Sequence, residues 1–530
     1  QGERPHDLHL RQGPAGPDAD RDPGGYGDTD RDRRADRNPH RHAGAEGDSH
    51  ADGDPRSARR DAHRHRYADG HTLMAKDRIP TSRVARTARV SGLAAGQAAR
   101  HLGTRATNLG RSEDGRQAAL ERRNLEAAEQ IVAALGTMKG AAMKLGQVMS
   151  FLDVGLVPEE HREDFQRKLG ELRDAAPKVR FADMRKVMES ELGESIERVF
   201  DAFETEPIAA ASIGQVYRAR LHDGRDVAVK VQYPGVAQAV RADMQNLGII
   251  LRLMKRIAPG LDVKSTAEEI RARIGDELDY ELEAQHQRTL ARIFRGHPFI
   301  RVPEVVTSLS RERVLVSEYV TGLGFDAIKE LDQATRDRVG EIIFRFFFGC
   351  MYRHRQFSGD PHPGNFLLQP DGSVAFLDFG LFKVMPAELI EIELECQRAG
   401  HEGDAERLHE IFSKTGFLRQ PDRFRPDKLL AQFLDATWWY VLDEEIHLKP
   451  EIATEVMIEM SDPRSSHFGQ MRHETLPADH LFGRRVELLT LAVLSQLEAR
   501  ANWHRIAREW MYKEPPVTDL GRLEADFYAS

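Results

Sequence analysis

Three side chains between residues 360 and 378 have the spacing that magnesium-dependent phosphoryl transfer requires. Asp360 opens the segment Asp-Pro-His-Pro-Gly-Asn, Asn365 closes it, and Asp378 opens the later segment Asp-Phe-Gly. In this order, the first carboxylate can orient or deprotonate a phosphate acceptor, while the amide and the second carboxylate can hold Mg²⁺ against nucleotide phosphates. We therefore predict Asp360 as a catalytic residue and Asn365 and Asp378 as metal ligands.

A lysine in an apolar run upstream supports this interpretation. Lys230 lies in Val-Ala-Val-Lys-Val, a pattern typical of a buried strand, and Ala228 lies two residues before it. A single lysine in a strand is usually a solvated edge residue. Because the carboxylates and the amide follow in the order of a phosphotransfer site, we predict that Lys230 contacts the α and β phosphates and that Ala228 lines the nucleotide site.

A segment of small residues precedes that strand at the position of a phosphate-binding loop. Glycine is usual in such loops because the backbone must approach the phosphates closely, and alanine makes the loop stiffer. A plain turn between two strands is the alternative that these residues also fit. We predict contacts to nucleotide from Ala209, Ala210, Ala211, Ser212, Ile213, Gly214 and the following Val216.

Together with two further motifs, these segments resemble the UbiB/AarF family of atypical kinase-like proteins, often called aarF domain kinases. Lys144-Leu-Gly-Gln147 is similar to the K-x-G-Q motif of that family, and Glu277-Leu-Asp279 is similar to its E-x-D motif. The similarity runs from about residue 83 into the C-terminal region. It implies that Lys144 and Gln147 reach the nucleotide site, that Glu277 and Asp279 face them, and that this arrangement blocks a peptide substrate.

The resemblance implies an α+β class: a bilobal protein-kinase-like fold with an N-terminal helical K-x-G-Q extension and a largely helical C-lobe. We expect four segments. They are a disordered low-complexity extension at 1–78, the helical extension at 79–178, an N-lobe with a helical insert at 179–320, and the C-lobe with C-terminal helices at 321–530.

The acidic run from Asp276 to Glu283 offers a carboxylate that would pair with Lys230 and position it. Most of its carboxylates are expected to lie on a solvated helix face. Glu283 is our candidate partner, and Glu281 remains an alternative at this point.

A later apolar run ends at Glu318-Tyr-Val320. There, a kinase-like hinge would bind the adenine edge through its backbone, although a plain strand end fits the residues equally well.

The first 73 residues contain no Ile, Val, Phe, Met, Trp or Lys. Such a composition cannot bury an apolar core, so we predict disorder. Because Met74 resembles an ordinary start, we expect residues 1–73 to be translation upstream of the true start. A peptide from this region in the native protein, found by mass spectrometry, would refute that expectation.

The composition argues against one class of partner and indicates the redox compartment of the protein. The 530 residues are 40% hydrophobic and 30% charged, enough for two or three cores, and a net charge of −9 argues against nucleic acid as the main partner. Cys350 and Cys396 are the only cysteines and have no metal-like spacing, which fits a reducing cytosol.

Three segments bear on a membrane. The basic, alanine-rich stretch from Arg83 could form an amphipathic helix on anionic lipid, although a solvated helix fits it equally well. The apolar run from Val486 is shorter than the roughly 20 residues that span a bilayer. Trp438-Trp439-Tyr440 could rest at an interface, but core packing is the favoured interpretation.

Our leading interpretation is a UbiB-like atypical kinase or ATPase that uses Mg-ATP and supports quinone or other isoprenoid-lipid metabolism. We expect a cytoplasmic protein, peripheral at the inner face of a membrane. The phosphate acceptor stays open among water, a small lipid-like or quinone-related molecule, and a residue of the chain itself. The alternatives are a small-molecule phosphotransferase of the aminoglycoside or choline kinase type, and a nucleotide-gated lipid-binding or scaffold protein without useful turnover.

Overall fold

The computed structural model describes residues 179–244, 247–248, 251, 263–418, 420–459 and 480–530. The predicted segment at 1–78 and the helical extension at 79–178, with Lys144 and Gln147, lie outside the described residues. The described part begins at the first residue of the predicted N-lobe.

An antiparallel sheet forms the centre of the N-lobe, in the order β1-β3-β4-β6, with β2 paired to β3. Along β4, Val227, Val229 and Val231 are buried on one face, so Ala228 and Lys230 must face the opposite side. This period of two explains how a lysine can stand within an apolar strand. The strands are β1 Phe200–Phe203, β2 Ala209–Ala211, β3 Gly214–Leu221, β4 Asp226–Gln232 and β6 Val314–Glu318.

Helices cover the N-lobe sheet and share its apolar core. The helical insert predicted for the N-lobe forms three helices within the described residues. Asp279 separates the last two, because its carboxylate accepts the backbone N–H groups of Glu281 and Leu282 and so caps the second of them. These helices are α1 Phe181–Leu192, α2 Ile196–Val199, α3 Val236–Met244, α4 Val263–Glu277 and α5 Tyr280–Ile293.

A buried central helix organises the C-lobe. The helix α7, Gln333–Tyr352, contributes Phe344, Phe346, Phe347 and Phe348 to the core. The ring of Phe346 stacks on that of Phe376 with centroids 3.6 Å apart. The short elements around it are β5 Ile300–Arg301, α6 Phe325–Lys329, β7 Gln356–Ser358, β8 Phe366–Leu368, β9 Val374–Phe376 and β10 Phe382–Val384.

The remaining C-lobe elements are mostly helical. A two-stranded pair, β11 with β12, lies among the helices of this largely helical region. Trp439 and Tyr440 are buried in the C-lobe core and Trp438 packs against it, in agreement with the core interpretation. These elements are α8 Ala387–Glu402, α9 Ala405–Lys414, α10 Pro426–Val441, β11 Ile446–His447, α11 Pro450–Glu459, α12 Leu481–Gln496, β12 Arg500–Ala501, α13 Trp503–Met511 and α14 Asp519–Ala529.

The predicted α+β class and two-lobed arrangement are confirmed. One large apolar core lies under the N-lobe sheet, and a second surrounds α7. The boundary at 320/321 stays a prediction. Among the described helices, the search for a segment long and apolar enough to cross a bilayer found none.

Close packing of α7 against the turn after α12 predicts that Gly340 cannot be enlarged. A Cβ atom at Gly340 would lie 2.5 Å from the Cβ atom of Ala499, whereas one at Gly349 would lie 3.6 Å from the Trp510 ring, an ordinary contact. We expect Gly340→Ala to lower the free energy of unfolding by about 1–3 kcal/mol. The control Gly349→Ala should raise it by up to about 1 kcal/mol, because alanine is the better helix former. Denaturant unfolding checks both values, and equal stabilities would contradict the packing.

Candidate active site

A cleft of about 950 Å³ lies between residues of the two lobes. Most of the predicted site residues line it, although they come from five separate parts of the chain. Gly214 and Asp279 support neighbouring elements instead of lining the cleft, and Lys144 and Gln147 lie outside the described residues. The predicted residues at the cleft are Ala209, Ala210, Ala211, Ser212, Ile213, Val216, Ala228, Lys230, Glu277, Glu283, Glu318, Val320, Asp360, Asn365 and Asp378.

Lys230 joins both lobes through two carboxylates. Its Nζ atom lies 2.7 Å from Glu283 Oε1 on α5 and 3.4 Å from Asp378 Oδ2 in the C-lobe. The side chain of Glu283 is almost fully buried, whereas Glu281 is exposed, so the structure decides between the two candidate partners. Burial by itself would lower the pKa of Lys230, but the charges of Asp378 and Glu283 outweigh it and raise the pKa well above its ordinary value.

The alanine-rich segment is a short strand joined to the start of β3 by a tight turn. Ala209 pairs with Val216 and Ala211 with Gly214, so the alanines are extended and leave only Ser212 and Ile213 in the turn. The side chain of Ile213 is buried in the N-lobe core, and its carbonyl accepts the backbone N–H of Tyr233 at 2.9 Å. The hairpin is therefore anchored at its tip, which fits a stiff loop.

Gly214 is required by close approach of the chain. A Cβ atom there would lie 2.2 Å from the carbonyl oxygen of Val231 and 3.0 Å from the hydroxyl of Tyr280.

Tyr280 lines the cleft and is buried, and its hydroxyl has no hydrogen-bond partner in the described part of the chain. We did not predict Tyr280 from the sequence, although it directly follows the Glu-Leu-Asp motif.

Two antiparallel pairings bring Asp360 beside Asp378. The loop with Asp360 and Asn365 runs from β7 to β8, and the loop with Asp378 runs from β9 to β10. Because β7 pairs with β10 and β8 pairs with β9, both loops emerge at the same place. The backbone N–H of Leu377 donates to Asn365 O at 2.8 Å and fixes the two loops to each other.

The atoms of these loops present oxygens suited to Mg²⁺. Asn365 Nδ2 donates to the Asp360 carbonyl at 3.1 Å, which leaves Asn365 Oδ1 as the amide atom that could ligate a metal. Asp378 Oδ1 accepts the Gly380 N–H at 3.0 Å, and Phe379 is buried behind it. Within the described ranges, no group of three or more His, Cys, Asp or Glu side chains could hold a metal alone. The donor set therefore fits an ion that takes its other ligands from phosphate and water.

Asp360 has a partner that the sequence did not reveal. Arg485, on α12, donates from Nη2 to Asp360 Oδ1 at 2.9 Å and from Nε to the Gly359 carbonyl at 2.8 Å. Its side chain is only 2% exposed. Nothing in the sequence around Arg485 distinguishes it from an ordinary helix arginine, and it lies more than a hundred residues from Asp360.

The predicted hinge follows the last strand of the N-lobe sheet. The backbone N–H groups of Glu318 and Tyr319 donate to the carbonyls of Glu304 and Asp226 at 2.8 and 3.1 Å. Both N–H groups therefore already have hydrogen-bond acceptors within the chain. A contact to an adenine edge would therefore fall to Val320 and to carbonyl oxygens of the hinge. The further residues that line the cleft and that we did not predict are Ile208, Gln287, Pro303, Leu315, Ser317, Thr321, Gly322, His362, Gly364, Leu367, Leu377 and Gly380.

A comparison with protein families matches residues 171–412 to the ABC1 atypical kinase-like domain. All the described site residues except Arg485 lie within this range. The relatives include the rat atypical kinase COQ8B, mitochondrial, which is 34% identical over 346 residues, 64% of each chain. The Drosophila melanogaster AarF domain-containing kinase 1 is 34% identical over 266 residues, 48% of this chain and 50% of that one.

The chain spans only part of the length of these curated relatives, for example 53% of the zebrafish and 39% of the Caenorhabditis elegans protein. A solved structure, described as the complex of Rv3197 with erythromycin from Mycobacterium tuberculosis, is similar over its full length. It is 31% identical, the alignment covers 76% of this chain and 100% of that one, and the TM-score is 0.54. The chain therefore belongs to the ABC1 atypical kinase-like family, as its UbiB/AarF motifs predicted.

Proposed function

We propose that the chain is an atypical kinase or ATPase that uses Mg-ATP. The observation that carries this proposal is the joining of Lys230, Glu283 and Asp378 in one cleft that Asp360 and Asn365 also line. This is the arrangement that phosphoryl transfer needs, and every charged member of it is present. A protein that had lost turnover would have no need to keep all of them.

Each residue then has a definite role. Lys230 holds the α and β phosphates, and Glu283 keeps its ammonium in place. Asp378 and Asn365 would hold Mg²⁺, which neutralises charge on the phosphates when bound. Asp360 orients the nucleophile or accepts its proton, and Val216, Ala228 and Leu367 offer apolar surface to the adenine base.

The acceptor that we propose is a small molecule or water, not a protein. The K-x-G-Q helix implied by the resemblance would cover the place where a peptide enters. We propose a role in quinone or other isoprenoid-lipid metabolism at a membrane surface, which rests on the resemblance to UbiB proteins. One relative is named as a mitochondrial atypical kinase and another as a chloroplastic kinase.

A second candidate function is nucleotide-gated binding of a small amphipathic molecule. The solved relative from Mycobacterium tuberculosis is described as a complex with erythromycin, which supports a binding role for a molecule of that kind. The two candidates differ in turnover. Binding alone predicts a ligand-dependent change in nucleotide affinity without phosphate release.

The metal site predicts the effect of neutralising Asp378. We expect Asp378→Asn to reduce ATP hydrolysis by at least about 100-fold, because the carboxylate would no longer stabilise the charge of the metal-phosphate complex. Phosphate release under saturating Mg-ATP measures this effect. Asp371→Asn is the matched control, because Asp371 accepts hydrogen bonds from Ser373 in the turn between β8 and β9 and is not among the described residues that line the cleft. Persistent turnover in Asp378→Asn would refute the assigned metal site.

The acceptor can be identified by stimulation of the same reaction. We expect anionic liposomes and quinone-like phenols to raise the rate of phosphate release, and aminoglycosides and peptides to leave it unchanged. Radiolabelled phosphate on an aminoglycoside would instead establish the small-molecule phosphotransferase. No stimulation by any lipid or phenol would contradict the proposed lipid role.

The anchored hairpin predicts an effect of loop flexibility on nucleotide binding. Ala209→Gly should change the Kd for ATP by about 2- to 5-fold, because glycine adds a backbone freedom worth about 0.5–1 kcal/mol. Ala202→Gly is the matched control, since Ala202 is also an exposed strand alanine but lies on β1, away from the cleft. Calorimetric titration measures both, and equal Kd values for the two variants and wild type would count against the loop assignment.

A further inference from the structure

Arg485 is bonded to two consecutive residues of the Asp360 loop. Its planar guanidinium donates to the carbonyl of Gly359 and to Asp360 Oδ1. One bond fixes the backbone and the other fixes the carboxylate, so the Asp360 side chain cannot rotate without breaking a charged hydrogen bond. The other carboxylate oxygen, Oδ2, lies 3.5 Å from Asn365 Nδ2 at the cleft.

The helix that carries Arg485 is held by the C-lobe core and not by the cleft. Val486, Leu491 and Leu494 on α12 are fully buried in the cluster around α7. Gly340 on α7 allows α12 and the turn after it to approach closely. These core contacts fix the position of the helix, and the helix therefore holds the Arg485 guanidinium against the loop.

We propose that Arg485 is a positioning residue for the reaction, which rests on the proposed function of the cleft. It holds Asp360 Oδ1 and thereby directs Oδ2 toward the acceptor. Arg485 is not among the described residues that line the cleft, so we expect no direct contact between it and the nucleotide. Its loss should therefore lower kcat and leave nucleotide affinity nearly unchanged.

A double-mutant cycle on the full chain tests this role. We expect Arg485→Met to lower kcat for ATP hydrolysis by about 10- to 100-fold, since misplacing a catalytic group costs that much. The Kd for Mg-ATP should stay within about 3-fold of wild type. Once Asp360→Asn has removed the charged carboxylate, adding Arg485→Met should cause little further loss. Losses that multiply in the double variant would overturn the proposal.

Arg484→Met is the matched control. Arg484 is the adjacent arginine on the same helix, and its ion pairs are with Glu393 and Glu487, not with the Asp360 loop. We expect this variant to lower the melting temperature while kcat per folded molecule stays within about 3-fold of wild type. If Arg484→Met lowers kcat as much as Arg485→Met, general loosening of α12 explains the effect and the proposal fails.

Arg485→Lys keeps the test decisive if Arg485→Met does not fold. Lysine retains the charge, but its ammonium cannot reproduce the planar pair of bonds, so kcat should lie between those of wild type and Asp360→Asn with an unchanged Kd. Wild-type kcat in Arg485→Lys would overturn the positioning role. The proposed function is judged separately, because it fails only if the wild-type chain releases no phosphate from Mg-ATP or if Asp378→Asn still does.

Discussion

The partly buried ammonium of Lys230 is paired with two carboxylates that come from different lobes. A partly buried cation is unfavourable unless it is paired, and Glu283 and Asp378 together raise its pKa well above the ordinary value. Satisfying that charge places α5 of the N-lobe against the segment after β9 of the C-lobe. Because this pairing joins the two lobes, it fixes the geometry of the cleft between them. Ala228 lies on the same face of β4 as Lys230 and lines the same cleft.

In the C-lobe, two independent sets of contacts fix the loops that carry Asp360 and Asp378. Strand pairings hold the loops with Asp360 and Asp378 side by side, and Arg485 ties the first loop to a helix near the end of the chain. The two sets act on different features. The pairings set the positions of the loops, whereas the guanidinium sets the orientation of one carboxylate.

The N-lobe hairpin differs from a glycine-rich loop for a physical reason. Its alanines are extended and paired, and its tip is anchored by Ile213 in the apolar core. Gly214 is the position where the absence of a Cβ atom is needed, because Val231 and Tyr280 lie too close for any side chain. Such a hairpin offers the proposed nucleotide one fixed arrangement of backbone groups, which a flexible glycine-rich loop would not do.

From the sequence alone, the family resemblance predicted the fold class, and the motifs predicted about half of the residues that line the cleft, because motif spacing is a local property of the chain. Spacing placed Asp360, Asn365 and Asp378 in order, and the alternation in β4 put Lys230 on an open face. Only the tertiary structure could select Glu283 over Glu281, assign Asp279 to a helix cap, and bring Arg485 to Asp360. Lys230 and Asp360 are distant in sequence from their partners, and the sequence does not say which residues of a helix face the core. The packing of whole elements therefore decides these contacts.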